Sequence, residues 1–220
     1  MTVVLVLAVF VMFALADFIL SRGRAPHVAV EKPAAPDLEP AVIDGFTVSE
    51  KVRYHAGHTW CSQERKHFER VGVDQFAAAL LGDVEKLQLP KPGQWIRQGQ
   101  KAWAFSRNGE KVEMVSPVEG EVIEVNNAVL KDPALLRRDP FGAGWLVVVH
   151  VPDEENTTRN LLPKELISNW MRRCVEALYA RQPQLAGATA ADGGVPVADV
   201  AAALPNAEWR KLAGEFFLTR

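Results

Sequence analysis

Apolar residues run almost unbroken from Thr2 to Leu20, interrupted only by Thr2 itself and Asp17. As a helix, these 19 residues reach about 28 Å at ~1.5 Å per residue, which matches the hydrocarbon thickness of a bilayer. Asp17 sits near one end, where its carboxylate can reach the interface. Arg22 and Arg24 follow, so the positive-inside rule places the C-terminal side in the cytoplasm. Ala14-Leu15-Ala16 has the shape of a signal-peptide cleavage site, which leaves a cleaved leader as the competing reading. Two features favour a retained anchor: no Lys or Arg precedes the apolar run, and the run continues past Ala16.

Periodicity then disappears. Between Gly23 and Ile43, Pro26, Pro33, Pro36 and Pro40 alternate with Ala, Val and Glu, which predicts an extended linker. From Asp44 the chain alternates in short runs punctuated by turn residues. Asp74 is placed to cap a helix over Gln75–Leu81 that Gly82 ends. Val84–Leu89 reads as a strand, Lys91-Pro92-Gly93-Gln94 as a turn, and Trp95-Ile96 as the lead into a hairpin. Gly120–Val125 alternates again, and Asp132-Pro133 opens a helical turn reaching about Arg138. Gly144–Val151 is nearly all apolar, which suits a strand covered on both faces. Such a series of short strands predicts a mainly β domain, a barrel or sandwich.

The clearest single signal is Asn108-Gly109. A type I′ turn needs positive φ at both central residues, and Asn and Gly adopt it most cheaply. The turn sets a register: Arg107 faces Glu110, Ser106 faces Lys111, Phe105 faces Val112 and Trp103 faces Met114. Trp103, Phe105, Val112 and Met114 then share an apolar face, with Ala104, Ser106, Lys111 and Glu113 on the other.

After Asp153 the period changes to that of a helix. Leu166, Ile167, Trp170, Met171, Cys174, Val175, Leu178 and Tyr179 make an apolar stripe between Pro163 and Arg181. Residues 186–196 are small and Gly-rich, and two helical turns are expected in Val197–Leu204 and Ala207–Leu218. The apolar residues of the last turn, Trp209, Leu212, Phe216 and Phe217, are expected to dock on the body.

With 220 residues and a 48% hydrophobic share, the chain can bury a real core. A net charge of -2 with Lys and Arg scattered among acids gives no basic patch, so no nucleic-acid partner is expected. Cys61 and Cys174, the only cysteines, lie in different units without metal-ligand spacing and are expected to be free thiols. His55, His58 and Cys61 form one loose cluster, and a metal is not expected on so common a spacing. No Ser-His-Asp order, Gly-rich phosphate loop or HExxH is present. Glu110, Glu113, Glu119 and Glu121 fall on solvated strand faces, so no catalytic residue and no enzyme activity is expected.

One phrase points to a family. Ser116-Pro117-Val118-Glu119-Gly120-Glu121-Val122, closing the hairpin, resembles the end of the lipoyl hairpin in the glycine cleavage system H protein. His58-Thr59-Trp60 resembles the family's opening His-x-Trp, and Val71-Gly72-Val73-Asp74-Gln75-Phe76-Ala77 its Val-Gly-Ile-Thr-x-x-Ala. Leu81-Gly82-Asp83-Val84, Asn126, Asp132–Leu135 and Asp139–Leu146 continue it in order, from about Tyr54 to Asp153. The resemblance implies a barrel-sandwich hybrid of the lipoyl and H-protein type with short helices, to which the hydropathy pattern adds an N-terminal transmembrane helix and C-terminal helices. The expected division is 1–22 anchor, 23–43 Pro-rich linker, 44–153 H-protein-like domain, 154–185 amphipathic helix, and 186–220 flexible segment with short C-terminal helices.

The family's members carry a lipoyl group on a lysine at the hairpin tip and act as carriers for partner enzymes. Counting without gaps from Gly99 to Ser116, that position falls on Gly109, which has no amine. Lys111 lies two residues on, in the descending strand. The apolar run and the arginines that follow it imply a single-pass membrane protein, its folded domain cytoplasmic. It would be a non-catalytic adaptor without lipoyl group, meeting a protein partner at Asn108, Gly109 and Glu110. A carrier lipoylated on Lys111 is the alternative. An efflux-type membrane-fusion adaptor ranks third: those insert a helical hairpin between their half-motifs, and the expected orientation is wrong for one.

Overall fold

A computed structural model of the chain describes residues 41–181 and 200–219. The expected membrane span (residues 2–20), nearly all of the linker and the Gly-rich segment lie outside the described residues. Among the described residues no helix is long and apolar enough to cross a membrane. The fold is mainly β with short helices, as the alternation implies. A two-stranded ribbon pairs β1 (Ala41–Ile43) with β2 (Phe46–Val48). β1 starts three residues inside the segment expected as linker, because Ile43 is buried in the core.

The principal sheet has six strands: β3 (Arg53–His55), β4 (Thr59–Arg65), β5 (Phe68–Val73), β7 (Trp95–Ile96), β10 (Gly120–Val125) and β11 (Val147–His150). Their spatial order is β3-β4-β5-β11-β10-β7. β11 therefore lies between two neighbours, and Val147, Val148 and Val149 are all buried, the outcome expected of an apolar run without alternation. Trp95-Ile96, expected as a lead into the hairpin, instead pairs with Gly120 and Glu121 in this sheet.

Trp60 opposes Gly72 across the β4–β5 pair. A Cβ at Gly72 would stand 2.3 Å from Trp60 Cζ2, so the indole lies flat over a position that only glycine leaves open. The indole N–H donates to the Val73 carbonyl at 2.8 Å. Asp74 then turns the chain into α1 (Gln75–Leu81): its carboxylate accepts from the Ala77 N–H at 2.8 Å, and Gly82 ends the helix at φ 67°. Phe76 to Leu81 are all buried, so α1 runs through the core.

A second sheet holds β6 (Lys86–Gln88), β8 (Lys101–Arg107) and β9 (Glu110–Val115), in that order. The β8–β9 register is the one the Asn-Gly turn implies, from Arg107 opposite Glu110 to Trp103 opposite Met114. Two short helices follow β10. α2 (Asn127–Lys131) is capped by Asn126, whose side-chain oxygen accepts from Ala128 and Val129, and α3 is Leu135–Arg138. The expected helical turn thus begins at Leu135, two residues after Pro133.

α4 (Glu154–Arg159) precedes the long α5 (Lys164–Arg181). Of the expected stripe, Ile167, Met171, Val175 and Leu178 are buried, an i, i+4, i+8, i+11 ridge, while Leu166 stays 52% exposed on its flank. A 3-10 turn (Val200–Ala203) and α6 (Asn206–Phe216) complete the described chain. Trp209, Leu212, Phe216 and Phe217 are buried in the same core as the sheets. The C-terminal helices therefore pack on the body, which extends past residue 153 to residue 219.

Candidate functional site

The hairpin tip is built by backbone geometry. Asn108 has φ 47° and Gly109 φ 78°, the positive pair a type I′ turn requires. A Cβ at Gly109 would meet nothing within 4 Å, so the apex is open toward solvent at that point. Neither apex residue carries an amine. Lys111 sits in β9, half exposed, with its ammonium 3.3 Å from a Glu113 carboxylate oxygen. Lys101 approaches the other Glu113 oxygen at 3.3 Å. Slight burial raises the Glu113 pKa, but the two ammoniums outweigh it and hold the group below its ordinary value.

The turn does not stand alone. The C-terminal segment straps it from one side, through polar groups that hydropathy does not single out. Arg107 donates to the Ala201 carbonyl at 2.7 Å and lies over the Trp209 ring. Asn108 and Asn206 exchange long hydrogen bonds, Nδ2 of Asn108 to Oδ1 of Asn206 at 3.3 Å and Nδ2 of Asn206 to the Asn108 carbonyl at 3.4 Å. Arg210 pairs with Glu110 at 3.1 Å. Trp209 donates from its indole N–H to the Leu80 carbonyl at 2.7 Å, tying the strap to α1. Of the expected tip residues, Asn108 and Glu110 thus meet α6. Arg107 is a site residue that sequence reasoning missed. The signal was its parity: at 103, 105 and 107 it occupies the apolar face of β8.

The loose His55, His58 and Cys61 cluster separates into unlike environments. His58 is fully buried, its ring stacked 4.3 Å from Phe76 and tilted against Trp170 at 4.6 Å. Its Nδ1 lies 2.8 Å from an Asp74 carboxylate oxygen, so the residue that caps α1 also holds the histidine. Burial disfavours the imidazolium, but the adjacent Asp74 carboxylate outweighs it and raises the His58 pKa to about 9. Burial and the neighbouring His58 charge lower that of His55. Cys61 lies instead with Arg53 and the buried Glu69, and burial followed by the Glu69 charge raises its thiol pKa. Both cysteines are free. Among the described residues no three His, Cys, Asp or Glu side chains are grouped to hold a metal.

The family model for the glycine cleavage H-protein matches residues 52–173. The glycine cleavage system H protein of Streptomyces avermitilis is 35% identical over 119 residues, covering 54% of this chain and 89% of the relative. That of Mycobacterium leprae is 37% identical over 102 residues, covering 46% of this chain and 77% of the relative. A crystal structure of the Mycobacterium marinum H protein aligns at 30% identity with a TM-score of 0.44, over 48% of this chain and 87% of that one. The strap that reaches the hairpin tip, residues 200–219, lies beyond the matched region. The family match spans residues 52–173, more than half of the chain, and by it the chain belongs to the glycine cleavage H-protein family.

Proposed function

We propose that this protein is an H-protein-like adaptor that carries no lipoyl group and holds a protein partner at the membrane. The observation that carries the reading is Gly109 at the apex of the turn, φ 78°, where the family's lysine falls by gapless counting. The residues present do not fit the covalent group: an amide to lipoate needs an amine at the tip, and Asn108 and Gly109 offer none. Lys111, the alternative attachment point, is two residues down a strand and paired with Glu113. The strap supports the same reading, because Asn206 and Arg210 engage the residues on either side of Gly109. Gly109 itself stays open, but the turn that presents it is pinned to α6 on both flanks.

The apolar run of residues 2–20 would anchor the chain in a bilayer, with Arg22 and Arg24 holding the domain on the cytoplasmic side. No residue is assigned a catalytic role, so the domain's work is binding. Growing the native cells with isotope-labelled lipoate tests the first part: the adaptor incorporates no label, and Lys111→Arg leaves the chain unchanged. Label that disappears in Lys111→Arg defines the carrier instead. Protease treatment of sealed membrane vesicles tests the second: cleavage within residues 41–219 only from the cytoplasmic face is expected.

A further inference from the structure

We infer that the outer edge of β9 and the flank of α6 form a docking groove for an extended, acidic segment of a partner protein. The inference rests on the adaptor reading and names the partner surface. β9 ends the three-stranded sheet, so among the described residues one of its edges has no strand beside it. In a two-residue hairpin the residues flanking the turn bond to each other, and alternate residues turn their backbone groups outward. Arg107 opposes Glu110, so Lys111 and Glu113 are the outward residues of β9. The Glu113 carbonyl accepts from the Thr219 hydroxyl at 3.1 Å, as that parity requires. The N–H groups of Lys111 and Glu113 and the Lys111 carbonyl point the same way.

Along this edge runs an open groove of about 820 Å³, lined by Lys111, Val112 and Glu113 of β9 and by Ala207, Arg210, Lys211 and Gly214 of α6, with Thr219 in its wall beside the Glu113 carbonyl. Positions 207, 210, 211 and 214 form one face of α6. Its two small residues leave room: a Cβ at Gly214 would meet only the Thr219 hydroxyl, at 3.9 Å. The volume falls within the range of about 300–1,000 Å³ usual for ligand clefts. A strand edge of alternating donors and acceptors matches another backbone rather than a compact anion.

Charge sets the composition of the occupant. Lys111, Arg210 and Lys211 line the groove, and Lys101 stands beside Glu113. The carboxylates near them are Glu113 and Glu110, the latter held by Arg210. Four cations against two carboxylates leave two positive charges uncompensated. Of the carboxylates on α6, Glu208 and Glu215 do not line the groove, and Glu215 is engaged by Arg181. A segment that pairs with β9 and carries Glu or Asp toward α6 satisfies both the edge and the charge.

The test uses the full chain in detergent micelles and a fluorescent octapeptide of alternating Glu and Val, read by anisotropy and by amide exchange over residues 110–115. The Glu-Val peptide is expected to bind and to slow exchange across that strand. Its Lys-Val counterpart, and a Glu-Val peptide N-methylated on alternate amides, are expected not to bind. Lys211→Glu, on the exposed face of α6, is expected to weaken binding by about tenfold. Equal binding of the Glu-Val and Lys-Val peptides, no response to Lys211→Glu, or no protection of residues 110–115 would each overturn the groove. Failure here with an unlabelled chain in the lipoate experiment discards the groove and keeps the adaptor; lipoate label on Lys111 discards the adaptor reading itself.

Discussion

Trp209→Ala measures how firmly the strap belongs to the fold. The indole is 1% exposed, donates to the Leu80 carbonyl at 2.7 Å and lies under Arg107. Removing a fully buried Trp costs about 3–5 kcal/mol through lost burial and the cavity left behind. The Leu80 carbonyl loses a partner as well, which adds about 1 kcal/mol if water does not reach it. A loss near 4 kcal/mol is a large part of the roughly 5–15 kcal/mol that holds a domain together. Urea unfolding followed by circular dichroism gives the total. Trp209→Phe separates the parts, since it keeps most of the packing and loses the hydrogen bond, for an expected cost of about 1–2 kcal/mol. Amide exchange should locate the effect, with Arg107–Glu110 exchanging faster in Trp209→Ala. A cost below about 1 kcal/mol, or unchanged exchange at the hairpin tip, would refute the claim that α6 holds the turn.

The buried His58-Asp74 pair makes stability depend on pH. The His58 pKa rises from an ordinary 6.5 to about 9 on folding, so the stabilisation is complete below about pH 6.5 and is lost as pH climbs through 9. That interval corresponds to about 3 kcal/mol, read as a falling urea midpoint that His58→Gln flattens. Gly72→Ala drives a methyl into Trp60 and is expected to cost at least about 3 kcal/mol, seen as a lower melting temperature or loss of soluble protein. Gly109→Ala meets no neighbour but must keep φ 78°, so it should cost only about 1 kcal/mol in urea melts.

Local chemistry made much of this fold legible. Asn108-Gly109 dictated a turn type, the turn dictated a register, and the register sorted Trp103, Phe105, Val112 and Met114 inward. Asp74 and Gly82 bracketed α1 because each end of a helix has its own preferred residue. What alternation misses is the use of polar groups at long range. Arg107 reads as a hairpin charge, yet its guanidinium is buried against Trp209 and the Ala201 carbonyl, 94 residues away in sequence. His58 reads as a ligand or a family marker, and its partner is the carboxylate that also caps α1. Nothing in the period of α5 separates the buried Ile167 from the exposed Leu166; the neighbouring surfaces decide that. The register of Trp95-Ile96 was equally hidden, since two residues carry too little pattern to choose between sheets.

The absence of an amine at the tip is the centre of the functional reading, and mass spectrometry addresses it directly. The protein should be purified from its native cells, its intact mass measured, and residues 99–125 mapped as peptides. The adaptor reading requires those peptides to carry the masses of their sequence alone, with Lys111 unmodified. A lipoyl adduct on Lys111 would contradict it and make the protein a carrier with a displaced lysine.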